Sequence, residues 1–268
     1  MSYFLKEYRR VLGLIKPITV QLFKSHVDSL ERTLTDGLVR YTWVSMNIDL
    51  FIDKAYSNLG RFDQLVRGVN DIMMSRVDEK LKSVSKILLV DLPDAECNIP
   101  LERFVDMQER HVRGMTKLLL DKSLEIENAV DDMLHMIVSW QPSAKEMEQE
   151  AEVIKIKAHF NWSMYQALEN STNNSLLMLK NRVCARTQSN GSGGSHNQSF
   201  FEVNVELDGN CTRLKPSVAD IQSAINGGAV AILKCSKMIE AWDTTTIPRR
   251  IQLVWQPAVP PISALSSQ

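Results

Sequence analysis

Apolar residues recur every three or four positions through two stretches of about forty residues, Asn47 to Leu88 and Pro100 to Trp140. That spacing lays one apolar stripe along each of two long amphipathic helices. In the first the stripe runs through Ile48, Phe51, Ile52, Ala55, Tyr56, Leu59, Phe62, Val66, Val69, Met73, Val77, Leu81, Val84 and Leu88. At 1.5 Å rise per residue, such a helix is about 60 Å long. In the second it runs through Leu101, Phe104, Val105, Val112, Met115, Leu118, Leu119, Ile126, Val130, Met133, Leu134, Ile137 and Val138, with His111 on the same face. Pro93 cannot continue a helix and Pro100 is well placed to start one. The chain is therefore expected to reverse over Asp91–Pro100, so that the two helices lie antiparallel, each covering the other's stripe.

The flanking segments follow the same logic. From the start to about Leu34 the chain reads as helix, with Pro17 suited to a first turn and Gly37 to a C-terminal stop. The stretch Gly37 to Asn47 reads as a packed connector anchored by Trp43. A fourth helix is expected from about Ser143 to Arg186, frayed or kinked by the polar run Glu169 to Ser175. The Ser/Gly-rich stretch 187–199 reads as a flexible linker. Beyond it, Phe201, Val203, Val205 and Leu207 alternate with polar residues, the period-two pattern of a half-buried strand, and Asp208-Gly209 is a hairpin turn. Ser217 and Asp220 form a capping box opening a last helix through Ile221, Ile225, Ile232, Cys235, Met238 and Trp242. Gly227-Gly228 inside that helix calls for close packing or a kink. The expected fold is mainly α: an elongated antiparallel bundle of long helices with a small β-hairpin plus helix near the C-terminus. Its parts are a helical body over 1–186, the linker over 187–199, the hairpin and helix over 200–243, and an irregular Pro-rich tail over 244–268.

Charge and composition narrow the function classes. Thirty-one Lys and Arg balance 32 Asp and Glu, so no overall pull toward nucleic acid or an anionic membrane is expected, and partners should be proteins. The apolar run Val11 to Ile15 is too short for a signal-peptide core, and no run of about 18 apolar residues exists. Cys97, Cys184, Cys211 and Cys235 form no CxxC pair, which argues against a zinc site or a disulfide framework and fits a reducing compartment. Six N-x-S/T sequons, beginning at Asn161, Asn170, Asn173, Asn190, Asn197 and Asn210, read as accidents of an Asn- and Ser-rich region.

No catalytic constellation emerges. The nearest imitation of a phosphate loop, Gly227 to Ser236, lacks the second glycine before its lysine and sits inside a helix pattern. His26, His111, His135, His159 and His196 are dispersed and form no HxxxH pair. His135 with Asp131 one turn earlier reads as a surface contact, and His111 as a satisfied core histidine. Met73, Met115, Met133 and Met164 read as core filling. Arg249-Arg250 is too small for a polybasic membrane patch. The sequence thus assigns no catalytic, cofactor-binding or metal-ligating residue and no small-molecule substrate, and the chain is not expected to be an enzyme.

Several separated phrases carry a resemblance. LIKPITVQLFKSHVDSLERTL from Leu14, TWVSMNIDLFIDKAY from Thr42, LLVDLP at Leu88 to Pro93, PLERFVDMQERHV from Pro100, and LKPSVADIQSAINGGAVAILKCSKMIEAW from Leu214 occur in the order found in dynein heavy chains. The chain resembles the N-terminal tail of that family, the axonemal type in particular, over most of Leu14 to Trp242. The resemblance implies a helical tail piece of a much larger motor chain whose ATP-hydrolysing ring and microtubule-binding stalk lie elsewhere. It implies partners among dynein intermediate and light chains and other dynein heavy chains, in the cytoplasm, the cytoskeleton and the ciliary axoneme. It carries over no individual contact residue. The competing expectations are an autonomous helical adaptor or spectrin-like scaffold, and an enzyme whose site is assembled from distant residues.

Overall fold

A computed structural model describes residues 2–40, 48–93, 98–139, 146–184, 200–209 and 211–239. The expected linker, Trp43, Trp242 and the Pro-rich tail lie outside the described residues. The fold is mainly α, with one two-stranded antiparallel sheet among the described residues. Within them the chain groups into two compact units, one drawn from 2–76 and 128–161, the other from 77–127 and 162–239.

The first unit begins with α1 (Ser2–Leu14), a 3-10 turn at Pro17–Thr19 and α2 (Val20–Arg40). Where the sequence suggested one helix ending near Leu34, the structure shows two. The break falls at Ile15–Lys16, because Pro17 disfavours helical backbone at the residue before it; Lys16 is extended, with ψ 144. Gly37 does not stop α2, which continues through it to Arg40. The helix α3 (Ile48–Ile72) packs against both. Asn70 donates to the Leu14 carbonyl at 2.8 Å, Arg10 reaches Asp63 at 3.3 Å, and the Phe4 and Tyr56 rings meet edge-on, so α1 and α3 run parallel. The centre of this unit is aromatic. Phe23 and Phe62 are fully buried with centroids 5.7 Å apart, and the ring of His26 lies against both. The end of α5 (Leu101–Ser139) closes it. Gly68 faces Met136, and Arg76 pairs with Asp132 at 2.7 Å, so α3 and α5 are antiparallel here as their stripes required. The start of α6 (Glu146–Val183) is tied to α5 by Lys157 to Asp131 at 2.7 Å.

The expected single helix to Leu88 is also divided. A six-residue π-helical segment, Met73–Asp78, follows α3, and α4 (Glu79–Ser85) completes it. The π segment turns Met74 to solvent while Met73 and Val77 stay buried. After Ser85 the chain leaves the helix, so that Leu89 and Val90 are buried and Leu88 is not. In the second unit Lys80 pairs with Glu125, His111 contacts the Leu88 carbonyl and Gln108 donates to the Asp91 carbonyl, so α4 and the chain after it descend antiparallel to α5.

The polar run Glu169 to Ser175 does not fray α6, which is continuous to Val183. The Ser171 and Ser175 hydroxyls point inward and serve the chain after α4, whereas the buried Thr172 hydroxyl has no hydrogen-bond partner among the described residues. Ser171 donates to the Ile87 carbonyl at 2.7 Å and back-bonds nothing; Ser175 accepts from the Leu89 N–H at 2.8 Å while donating to the Ser171 carbonyl at 2.7 Å. A buried unpaired main-chain group costs roughly 1–3 kcal/mol, so these serines stabilise a chain reversal that an apolar helix face would leave unsatisfied.

The strand β1 spans Asn204–Asp208 and pairs with β2 (Cys211–Lys215) from Asn204↔Lys215 to Asp208↔Cys211. Asp208 therefore belongs to the ladder, and the two-residue connection is 209–210, with Gly209 at φ +62. The half-buried strand is corrected: Val203, Val205 and Leu207 are all exposed, and only Phe200 and Phe201 before them are buried, with their rings against Phe104. Lys215–Pro216 is cis. The capping box forms as expected at the start of α7 (Val218–Lys237), the Ser217 hydroxyl accepting from the Asp220 N–H at 3.2 Å and the Asp220 carboxylate from the Ser217 N–H at 3.1 Å. Of the two glycines, Gly228 packs closely: a methyl added there would lie 3.7 Å from Phe104 Cζ.

Candidate interaction surface

A shallow groove of about 320 Å³ in the second unit is lined by Asp91, Met107, Arg110, His111, Gly114 and Met115. Its imidazole is spent on structure, because Nε2 of the half-buried His111 donates to the Leu88 carbonyl at 2.9 Å. Met115 lines that groove, whereas Met73, Met133 and Met164 are buried core, as read from their spacing. Among the described residues no group of three or more His, Cys, Asp or Glu is placed to hold a metal ion, and no helix is long and apolar enough to cross a membrane.

The structure separates the His135–Asp131 pair by function, since the Asp131 carboxylate engages Lys157 and His135 is exposed. The histidine that sequence reading passed over is His26. It is fully buried, its Nε2–H donating to the Ile137 carbonyl at 3.1 Å with the Ser25 hydroxyl 3.3 Å from Nδ1. Burial, opposed by its main-chain hydrogen bonds, holds the imidazole below its ordinary value. Its spacing from Leu22 and Leu30, four residues each way, was the available signal. The Cys235 thiol, 3.3 Å from the Thr116 hydroxyl, is buried and pushed up by desolvation, the opposite of an activated nucleophile.

What the units offer instead is apolar surface outside the core. On α3 the residues Ile48, Ile52 and Tyr56 share one helical face and are each more than a third exposed, and Leu50 is exposed by 68% on the opposite side of the helix. Leu120 and Leu124 do the same on α5, and the consecutive Leu177 and Met178 of α6 are exposed as well. The β-hairpin is exposed along its whole second strand. Exposed apolar positions at helical spacing suit partner helices better than substrates.

No family model matches the chain. Comparison with known proteins nevertheless finds consistent relatives. The dynein gamma chain of the flagellar outer arm from Chlamydomonas reinhardtii is 32% identical over 248 residues, covering 90% of this chain and 5% of the relative. Dynein axonemal heavy chain 5 of Mus musculus is 23% identical over 306 residues, covering 93% of this chain and 7% of its own length. Dynein axonemal heavy chain 8 of Mus musculus is 24% identical over 270 residues, covering 85% and 6%. Over about nine tenths of its length, therefore, the chain is homologous to axonemal dynein heavy chains, of which it corresponds to a short segment.

Proposed function

We propose that the chain is a structural and assembly segment of an axonemal dynein heavy-chain tail, which binds intermediate and light chains or other heavy chains and does no catalysis itself. A dynein-related role follows from the homology; the tail position and the partners are the step beyond it. The observation that carries the reading is the 32% identity sustained over 90% of the chain. Two features support it. Helices up to 39 residues long give stiff elements suited to transmitting force, and their exposed apolar faces are the kind of surface that partner helices cover. In this reading the chain works at the axoneme of a cilium or flagellum, in support of microtubule-based movement, with neither nucleic acid, membrane nor small-molecule substrate as its partner.

The test is co-expression with dynein intermediate chains, light chains and a second heavy-chain tail, followed by affinity capture. Stoichiometric co-purification with at least one of them is expected. A folded chain, helical by circular dichroism, that captures none of the three classes would remove the assembly role. Turnover of MgATP by the purified chain would overturn its non-catalytic part.

A further inference from the structure

The hairpin Asn204–Lys215 is exposed from Asn204 to Leu207 and along β2. A two-stranded sheet is marginal in water unless a third strand or a packed layer covers it, and among the described residues this one has neither. Val203, Val205 and Leu207 fall on one face of β1, and Leu214 of β2 lies directly opposite Val205 on that face. They are exposed by 42%, 64%, 80% and 48%. The opposite face carries Glu202, Asn204 and Glu206 on β1 and Arg213 and Lys215 on β2, with Glu206 and Lys215 joined at 3.2 Å.

The ladder also shows which edge is open. Next to a two-residue turn the closing pair exchanges both hydrogen bonds, and bonded and non-bonded pairs alternate thereafter. Starting from Asp208↔Cys211, the main chain of Val205 and Leu207 turns away from β2. Upstream, the Glu202 N–H donates to the Ile99 carbonyl and the Phe200 carbonyl accepts from the Ile99 N–H. These residues continue the inward-facing alternation, so Ile99 flanks the side of β1 that β2 occupies. The other edge of β1 pairs with nothing among the described residues.

We propose that this edge of β1 is a docking site for an extended segment of a different protein in which apolar residues alternate with Lys or Arg. Main-chain bonds to Val203, Val205 and Leu207 supply the affinity, and the alternating side chains supply the choice of partner. The apolar half of the incoming strand extends the Val203–Val205–Leu207 face. Its basic half lies against Glu202 and Glu206, opposite charges across a strand pair being favourable and like charges unfavourable. The same rule counts against a second copy of this chain: two-fold pairings of β1 with itself set glutamate against glutamate when centred on Asn204 or Glu206, and Glu202 against Asp208 when centred on Val205. The inference stands apart from the proposed tail role, since it is tested on the chain alone.

The probes are a peptide of about ten residues alternating Val and Lys, a peptide of the same composition with its Val and Lys in separate blocks, and a peptide alternating Val and Glu. Binding to the full chain is read by titration and by amide hydrogen exchange over residues 203–207. The alternating Val/Lys peptide should bind about tenfold or more tightly than either control, and should slow exchange at Val205 and Leu207. Val205→Pro, which removes an outward N–H and leaves the ladder to β2 intact, should abolish that binding with helicity unchanged. Glu202→Lys with Glu206→Lys should reverse the preference toward the Val/Glu peptide, a gain that misfolding cannot produce. Equal binding of the block peptide, no binding of any peptide, undiminished binding to the Val205→Pro variant, or self-association through the hairpin would each overturn the proposal.

Discussion

The two units solve the problem of holding long helices side by side in different ways. In the first, rings do it: Phe23, Phe62 and His26 fill the space where α2, α3 and the end of α5 meet, and nearly all the polar pairing there is at the margin. In the second, hydroxyl and amide side chains reach the main chain of a non-helical stretch, through Ser171, Ser175 and Gln108 to Ile87, Leu89 and Asp91. The difference follows from what each must bury. Helix against helix leaves few main-chain groups to satisfy, such as the Leu14 and Ile137 carbonyls that Asn70 and His26 engage, whereas the stretch after Ser85 carries a run of bare N–H and C=O groups into the interior, and those need partners.

Five substitutions probe that contrast, in descending order of effect. Phe62→Ala empties the centre of the aromatic cluster and should destabilise the first unit by about 3–5 kcal/mol, read as a fall in the denaturant midpoint with loss of near-ultraviolet signal. A cost under about 1 kcal/mol would mean that the rings are not what holds this unit. Ser175→Ala leaves the Leu89 N–H without its acceptor and should cost about 1–3 kcal/mol. The Leu89 amide should then exchange with solvent faster than in the parent, and unchanged exchange would show the hydroxyl to be dispensable.

The buried imidazole adds a pH signature to the first unit alone. Because burial holds His26 below its ordinary 6.5, its contribution to stability is complete above that value and is lost as pH falls through the depressed folded value. The slope from one proton is at most about 1.4 kcal/mol per pH unit. His26→Gln should flatten the pH dependence of unfolding between 6.5 and the folded value; a profile identical to the parent's would assign the acid sensitivity elsewhere. The smallest effect distinguishes the paired glycines of α7. A methyl on Gly227 meets nothing within 4 Å, so Gly227→Ala should stabilise by about 1 kcal/mol through helix propensity. Gly228→Leu, aimed at Phe104 and Leu179, should destabilise; a rise in melting temperature for both would place the second glycine outside the core.

Much of this architecture is legible in the sequence because helix periodicity is a local signal. The stripes along α3 and α5, the start after Pro100 and the Ser217–Asp220 capping box each depend on residues within a few positions of one another. The errors come where a local pattern has two outcomes. Glu169 to Ser175 reads as a weak point because serine and threonine compete for main-chain hydrogen bonds in isolation; inside the unit that same capacity is what the neighbouring chain requires. Gly37 reads as a stop, yet α2 passes through it. His26 was set aside as one of five scattered histidines, although its position between Leu22 and Leu30 marks it as inward-facing. The interaction surface was hardest to read, since the alternation at Phe201 to Leu207 specifies which residues share a face but not whether anything covers it.

The helical class, the antiparallel return after α4, the hairpin and the dynein resemblance can be read from neighbouring residues, where periodicity, breakers and ordered phrases are written. Which polar side chains go inside, where a π segment interrupts a long helix, and that both faces of the hairpin meet solvent emerge only once the chain is folded. Those outcomes depend on which main-chain groups and apolar faces come together across 80 or more positions of sequence, as Leu89 and Ser175 do at a separation of 86, and no local pattern encodes that meeting.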